Sequence, residues 1–82
     1  SPLESIQYAD IGNFGLEKSC CHVNHSPMYY PIIILKDRRR LYICDFQNFE
    51  NAGRMLLGLH KYLFGRNNND YVVPSVHSLI VT

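Results

Sequence analysis

The clearest hydrophobic and polar pattern in the chain lies between residues 30 and 46. Residues 30–36 and 39–46 are rich in β-branched and aromatic side chains, and the polar pair Asp37-Arg38 separates them. Two such segments on either side of a short polar turn are typical of an antiparallel hairpin. The sequence therefore predicts a two-stranded hairpin over residues 30–46, with a two-residue turn at 37–38.

A second pattern, the three-four spacing of a helix, follows directly after the hairpin. The apolar-face positions are Phe49, Ala52, Leu56, Leu59, His60 and Leu63. Asn48 is a suitable N-cap, and Glu50 in the first turn suits the positive end of the helix dipole. Gly65 stands where a left-handed C-terminal cap commonly ends a helix. We therefore expect a helix over about residues 48–64 packed on the hairpin, with Phe46, Phe49, Ala52, Leu56 and Leu63 mostly buried.

The two flanking segments are less regular. Short strands are indicated at residues 5–10 and 20–23, and residues 71–73 and 76–81 indicate a final strand interrupted by Pro74. Residues 1–27 fit either extra strands with a turn at 24–27 or an irregular arm, and both interpretations remain open. A chain of 82 residues is long enough for one domain and too short for two. The sequence predicts a single α+β domain over residues 1–82, with a small antiparallel sheet of three or more strands against one helix.

Composition and charge narrow the classes of function. With 46% hydrophobic and 18% charged residues, the chain is expected to be globular rather than disordered. A formal net charge of +1 is not that of a strongly basic nucleic-acid binder, so any nucleic-acid site has to be local. No apolar run approaches the roughly 20 residues that a membrane-spanning helix needs, so no membrane partner is expected. The odd number of cysteines, two of them adjacent, favours reduced thiols and an intracellular setting.

The strongest local charge is the run from Lys36 to Arg40, in which four cations surround Asp37. Lys and Arg side chains neutralise the phosphate backbone of nucleic acids, and a hairpin carrying Arg also reads base edges in a major groove. The predicted DNA-binding residues are Lys36, Arg38, Arg39, Arg40 and Tyr42. The same cluster also fits a solvated turn whose charges prevent edge-to-edge aggregation. The sequence leaves both interpretations open.

The stretch from Tyr30 to Gly65 resembles an AP2/ERF-type DNA-binding domain. The matching features are an opening aromatic, a basic and then apolar strand, a phenylalanine that ends it, and the start and close of a helix. In this chain they are Tyr30, Arg39–Ile43, Phe46, Phe49–Ala52 and Lys61–Gly65. The chain departs from the family pattern at Cys44, where the last strand usually has Gly. The resemblance implies a DNA-binding module of a transcription regulator, which contacts duplex DNA through its sheet and is located in the nucleus.

The alternation of side chains along the predicted strands leads to a second hypothesis about function. With a two-residue turn, Leu35 lies opposite Arg40 and Ile33 opposite Tyr42, so all four share one sheet face. This face is more apolar than the polar, basic face with which the resembled family meets DNA. Because one helix covers only one face of a small sheet, the other face needs the amino-terminal segment or a second chain. The alternative function is therefore a non-enzymatic protein-interaction or dimerisation domain, with Ile33, Leu35 and Tyr42 at the interface.

Residues with catalytic or metal-binding potential are few. A zinc site is suggested by Cys20, Cys21, His22 and His25. Their spacing falls short of the Cys-x2–4-Cys and His-x3–5-His pairs of zinc sites, and no second Cys pair follows. His60 lies on the apolar helix face, where a hydrogen-bonded histidine in the core or at the sheet margin is the expected interpretation. Neither a Gly-rich phosphate loop nor a nucleophile elbow occurs in the sequence. We therefore predict no enzyme, no metal site and no cofactor, and the sequence assigns no role to these cysteines and histidines.

Overall fold

A five-stranded sheet packed against one helix forms the fold in the computed structural model, which describes residues 6–81. The strands are β1 (Ile11–Val23), β2 (Ser26–Leu35), β3 (Arg40–Tyr42), β4 (Gln47–Asn48) and β5 (Ile80–Val81). Their order is β3-β2-β1-β5, and β4 also pairs with β2. All pairs are antiparallel except β1 with β5. The predicted α+β fold, with three or more strands on one helix, is confirmed.

Residues 11–23 form β1, the longest strand in the described range, at a place where the sequence left extra strands or an irregular arm open. In β1, Phe14 and Leu16 are buried against the helix, while Gly15 and Glu17 point to the opposite face of the sheet. Most of this strand is not predictable from the sequence, because glycines and polar residues interrupt its apolar alternation. The short strand predicted over residues 5–10 is wrong, since Tyr8–Asp10 forms a 3-10 turn and residue 5 lies outside the described range.

The turn predicted at residues 24–27 is present as the tight connection between β1 and β2. Val23 pairs with Ser26, so the loop contains only Asn24 and His25. Both residues have left-handed backbone angles, with φ of 51° and 66°. Two such residues in a row are the conformation of a type I′ turn, whose twist matches that of the flanking strands.

The second hairpin is present, but β2 begins earlier than predicted and β3 is shorter. Ile32 pairs with Tyr42 and Ile34 with Arg40, so the predicted pairing of Leu35 with Arg40 is wrong by one residue. The cause is the turn, in which Arg38 adopts φ 74° and adds a third residue to the loop. A slip of one residue moves every side chain of a strand to the other face.

The corrected register separates the three residues that were predicted to share an apolar interface. Ile33 and Leu35 face the helix, where Ile33 packs against the core and Leu35 is only 6% exposed. Tyr42 faces away from the helix, and its side chain is 52% exposed. The predicted common face of Ile33, Leu35 and Tyr42 therefore does not exist.

The helix α1 (Phe49–His60) begins where the sequence predicts. Asn48 is its N-cap, because its side-chain Oδ1 accepts a hydrogen bond of 2.7 Å from the backbone N–H of Asn51. The helical path continues as a π-helical segment, Lys61–Gly65. The predicted left-handed cap at Gly65 is wrong, since no glycine within residues 6–81 has a positive φ; Asn67 takes that conformation instead, with φ 59°.

The core lies between the helix and the inner face of the sheet. Its buried members are Phe14, Leu16, Ala52, Leu56 and Leu79. Of the residues predicted to be mostly buried, Ala52 and Leu56 are completely so, whereas Phe46, Phe49 and Leu63 are half-buried. Phe49 and Leu63 pack at the margin of the core, where one small sheet is not wide enough to enclose the whole helix. Phe46 precedes the helix and packs against Tyr30 instead.

The chain returns to the sheet through a 3-10 turn, Val76–Leu79, followed by β5. The predicted final strand is reduced to its last two residues, and its first part, residues 71–73, is not a strand. Val81 docks beside Gly15, where a Cβ atom would lie only 2.8 Å from Val81 Cγ1. The glycine therefore makes room for β5. No helix within residues 6–81 has the length and apolar character needed to cross a membrane.

Candidate functional site

The sheet surface opposite the helix carries a cluster of charged and aromatic side chains, and it is the candidate functional site. We call it the outer face, and its members are Glu17 of β1, Tyr30 of β2, and Arg40 and Tyr42 of β3. The strand register brings them together, because Glu17 pairs with Tyr30 and the β2–β3 pairing sets Arg40 and Tyr42 alongside. These residues are far apart in the sequence, and only the three-strand pairing makes them neighbours.

Glu17 is the centre of the outer face. Arg40 Nη1 donates to its Oε1 at 2.7 Å, and the Tyr42 hydroxyl donates to its Oε2 at 2.6 Å. The Tyr42 hydroxyl, and then Arg40, hold the pKa of Glu17 below its usual value. The same hydrogen bond raises the pKa of Tyr42, because it favours the protonated phenol beside the carboxylate. Arg40 and Tyr42 are thus engaged within the chain.

Aromatic rings form the other half of this surface. Tyr30 meets Tyr42 edge-to-face at a centroid distance of 5.2 Å and meets Phe46 at 6.0 Å. A shallow hollow of about 270 Å³ lies between Tyr30 and Tyr42. Ile32 belongs to the same sheet face, and it is completely buried although the helix lies on the other side. The outer face is therefore partly covered by its own side chains.

The hairpin tip next to the outer face contains the remaining cations of the predicted DNA site. Arg39 is bound to Asp37, with Nε and Oδ2 2.8 Å apart and the Arg39 backbone N–H donating to Oδ1 at 3.0 Å. That backbone N–H, followed by the side chain of Arg39, holds the pKa of Asp37 below its usual value. Lys36 and Arg38 are exposed and form no ion pair with any residue of the 6–81 range.

The predicted DNA-binding residues thus fall into two groups. Arg39 pairs with Asp37 and Arg40 with Glu17, whereas Lys36 and Arg38 project from the turn without an acidic partner in the described chain. Glu17 was not among the site residues predicted from the sequence. No local signal marks it, because its partners are more than twenty residues away and depend on the strand register.

His60 is half-buried and hydrogen-bonded, at the margin of the core. Its Nδ1 lies 2.6 Å from the Tyr71 hydroxyl, and its ring meets Phe64 edge-to-face at 4.8 Å. Burial lowers the pKa of His60, because desolvation disfavours the charged imidazolium. The ring therefore packs as a neutral, hydrogen-bonded side chain at neutral pH.

Metal-binding geometry is also absent from the part of the chain that is described. Within residues 6–81, no three His, Cys, Asp or Glu side chains lie close enough together to hold a metal ion.

Comparisons of the chain with family models, with curated proteins and with solved structures find no match.

Proposed function

We propose that this chain is a non-enzymatic protein-interaction module whose outer face binds a second copy of the same chain. The observation that carries the proposal is the exposure of Tyr42 beside the Tyr30 hollow, above the neutralised pair of Glu17 and Arg40. Tyrosine and arginine are enriched at the centres of protein interfaces, where they often contribute most of the binding energy.

The charge balance of the outer face favours a second copy as the partner. Glu17 and Arg40 neutralise each other within one chain, so two copies meet without repulsion between like charges. A two-fold symmetric contact also requires only one self-complementary patch. The rigid Tyr42 ring, fixed by its hydrogen bond to Glu17, loses little conformational freedom when it is buried.

The oligomeric state tests this proposal. Light scattering over a range of concentrations should show a dimer for the wild type and a monomer for Tyr42→Ala. Tyr62→Ala is the matched control, because Tyr62 is exposed to a similar extent (56%) but belongs to the helical segment rather than to the sheet. A wild-type chain that stays monomeric at high concentration, or a dimer that Tyr42→Ala leaves intact, would contradict the proposal.

A second candidate function is duplex DNA binding through the hairpin tip. Lys36 and Arg38 support it, since both are exposed and lack an acidic partner within residues 6–81. The AP2/ERF resemblance of residues 30–65 supports it as well. Under this proposal Arg39 and Arg40 contribute less than the tip cations, because each has to leave a carboxylate before it meets a phosphate.

A salt titration against a pool of random duplexes tests the DNA proposal. Affinity should fall steeply with salt, and replacing Lys36 and Arg38 with Gln should flatten the slope by about one unit for each lost phosphate contact. Gln at position 38 keeps a side chain at the left-handed site, so the turn is perturbed little. Arg54→Gln on the helix removes one positive charge and is the control for each single substitution. If Lys36→Gln and Arg38→Gln leave the salt dependence of the affinity unchanged, the hairpin tip is excluded as the DNA-binding site.

A further inference from the structure

An irregularity in the pairing of β1 with β2 places two cysteines side by side. Lys18 pairs with Tyr29, and the next pair is His22 with Pro27, so residues 19–21 face the single residue Met28. This is a β-bulge, in which the regular alternation of side chains between the two faces is lost. The Sγ atoms of Cys20 and Cys21 consequently lie 3.9 Å apart, and both residues are exposed.

Ser19 fixes the backbone of the bulge. It is a buried polar residue, 4% exposed, and its hydroxyl oxygen accepts a hydrogen bond of 2.9 Å from the Cys21 backbone N–H. This bond satisfies a donor that the disrupted sheet ladder leaves unpaired. The two thiols are thus presented by an ordered strand and not by a free loop.

The geometry favours a shared ligand over a disulfide between the two cysteines. Adjacent Cα atoms are about 3.8 Å apart, below the range of roughly 4.4–6.8 Å in which disulfides usually form. A single atom bonded to both sulfurs needs no S–S bond and tolerates a wider separation. Thiol sulfur is a soft ligand that selects soft acceptors.

We infer that Cys20 and Cys21 form a bidentate thiol site for thiophilic acceptors of the trivalent arsenical class. With an organic arsenoxide, two As–S bonds form while the arsenic–oxygen bond breaks, and the oxygen leaves as water with the two thiol protons. Arsenic stays trivalent, so the step needs no oxidant. Such an acceptor keeps its own organic substituent as third ligand, which suits a pair of thiols with no third protein ligand among residues 6–81.

Phenylarsine oxide is the probe for this site. Mass spectrometry of the folded, reduced protein should show one adduct, equal in mass to the arsenical less one water. A monodentate adduct is displaced by an excess of 2-mercaptoethanol, whereas the bidentate adduct should survive that treatment and be removed by 2,3-dimercaptopropanol. Absence of an adduct in the wild type, or its complete removal by the monothiol, would overturn the inference.

Cysteine variants assign the adduct to the pair. Cys20→Ser and Cys21→Ser should each lose the monothiol-resistant adduct, while Cys44→Ser, at the third and half-buried cysteine, should keep it. A resistant adduct that remains in Cys20→Ser or Cys21→Ser would refute the site. Ser19→Ala keeps all three thiols, and it should weaken binding about twofold to tenfold, the range of one neutral hydrogen bond. Unchanged affinity in this variant would show that the bulge does not position the pair.

Discussion

At the residue scale, Glu17 connects the inner strand β1 to the edge strand β3 by reaching across β2. Its two carboxylate oxygens accept from Arg40 and Tyr42, so one side chain holds two residues of a strand that is only three residues long. Short edge strands have few ladder hydrogen bonds of their own. The Glu17 contacts therefore add to the stability of the edge of the sheet as well as shaping the outer face.

Replacing Glu17 with Gln should lower the free energy of unfolding at neutral pH by about 0.5–1 kcal/mol, because the pair is partly exposed and screened. The pKa of Glu17 is lowered from 4.5 in the folded protein. As the pH falls, the unfolded state therefore binds a proton at Glu17 more readily than the folded state does. The contribution is therefore complete above about pH 4.5 and is lost as the pH falls through the folded value. Urea titrations of both proteins at several pH values measure this.

The control for that experiment is Glu50→Gln, since Glu50 pairs with Arg54 on the helix at a highly exposed position. It should change the stability less than Glu17→Gln does. A difference between wild type and Glu17→Gln that stays constant from neutral to strongly acidic pH would show that the carboxylate charge does not stabilise the edge strand.

At the scale of elements, the helix was predictable and the edge of the sheet was not. Asn48 and the spacing of Ala52 and Leu56 are local signals, and they located the start and the buried face of the helix correctly. The register of β3 depends on Arg38, whose left-handed backbone angle nothing in the residue type favours. One unrecognised loop residue was enough to place Tyr42 and Ile33 on opposite faces of the sheet.

Two glycines within the helix give a matched pair for testing its packing. Gly58→Ala should stabilise the protein by about 0.5–1 kcal/mol, because alanine favours the helix and nothing lies within 4 Å of the new methyl group. Gly53→Ala should destabilise it, because the methyl group would lie 2.6 Å from Val76 Cγ1 and valine is stiff at χ1. Thermal unfolding of both variants measures the difference, and equal shifts would mean that Val76 does not pack on this turn.

At the scale of the whole molecule, the helix packs on β1 and β2 through a hydrophobic core. Phe14 and Leu16 from β1 meet Ala52 and Leu56 from the helix, and Leu79 closes the layer from the end of the chain. The sequence predicted the helix side of this core but not β1, because the pattern of β1 is broken by glycines and a bulge. The outer face could not be predicted from the sequence either, since Glu17 meets Arg40 and Tyr42 only when three strands have paired.

Truncation of Leu56 tests how much this core contributes to the stability of the protein. Leu56→Ala should cost about 2–5 kcal/mol, the range for a buried large-to-small change, because Leu56 is completely buried among both strands and Leu79. Met55→Ala, one position earlier and 37% exposed, is the control and should cost much less. Chemical denaturation measures both values. Similar losses at the two positions would place the packed side of the helix elsewhere.

The parallel pairing of β5 with β1 has a consequence for the order of events in folding. Leu16 and Ile80 lie near opposite ends of the described chain, so their contact closes a much longer loop than either hairpin does. Closing a long loop costs more chain entropy, and distant contacts tend to form late. Contacts formed after the transition state slow unfolding and leave the rate of folding nearly unchanged. The two residues of β5 therefore bear on how long the native state lasts more than on how fast it is reached.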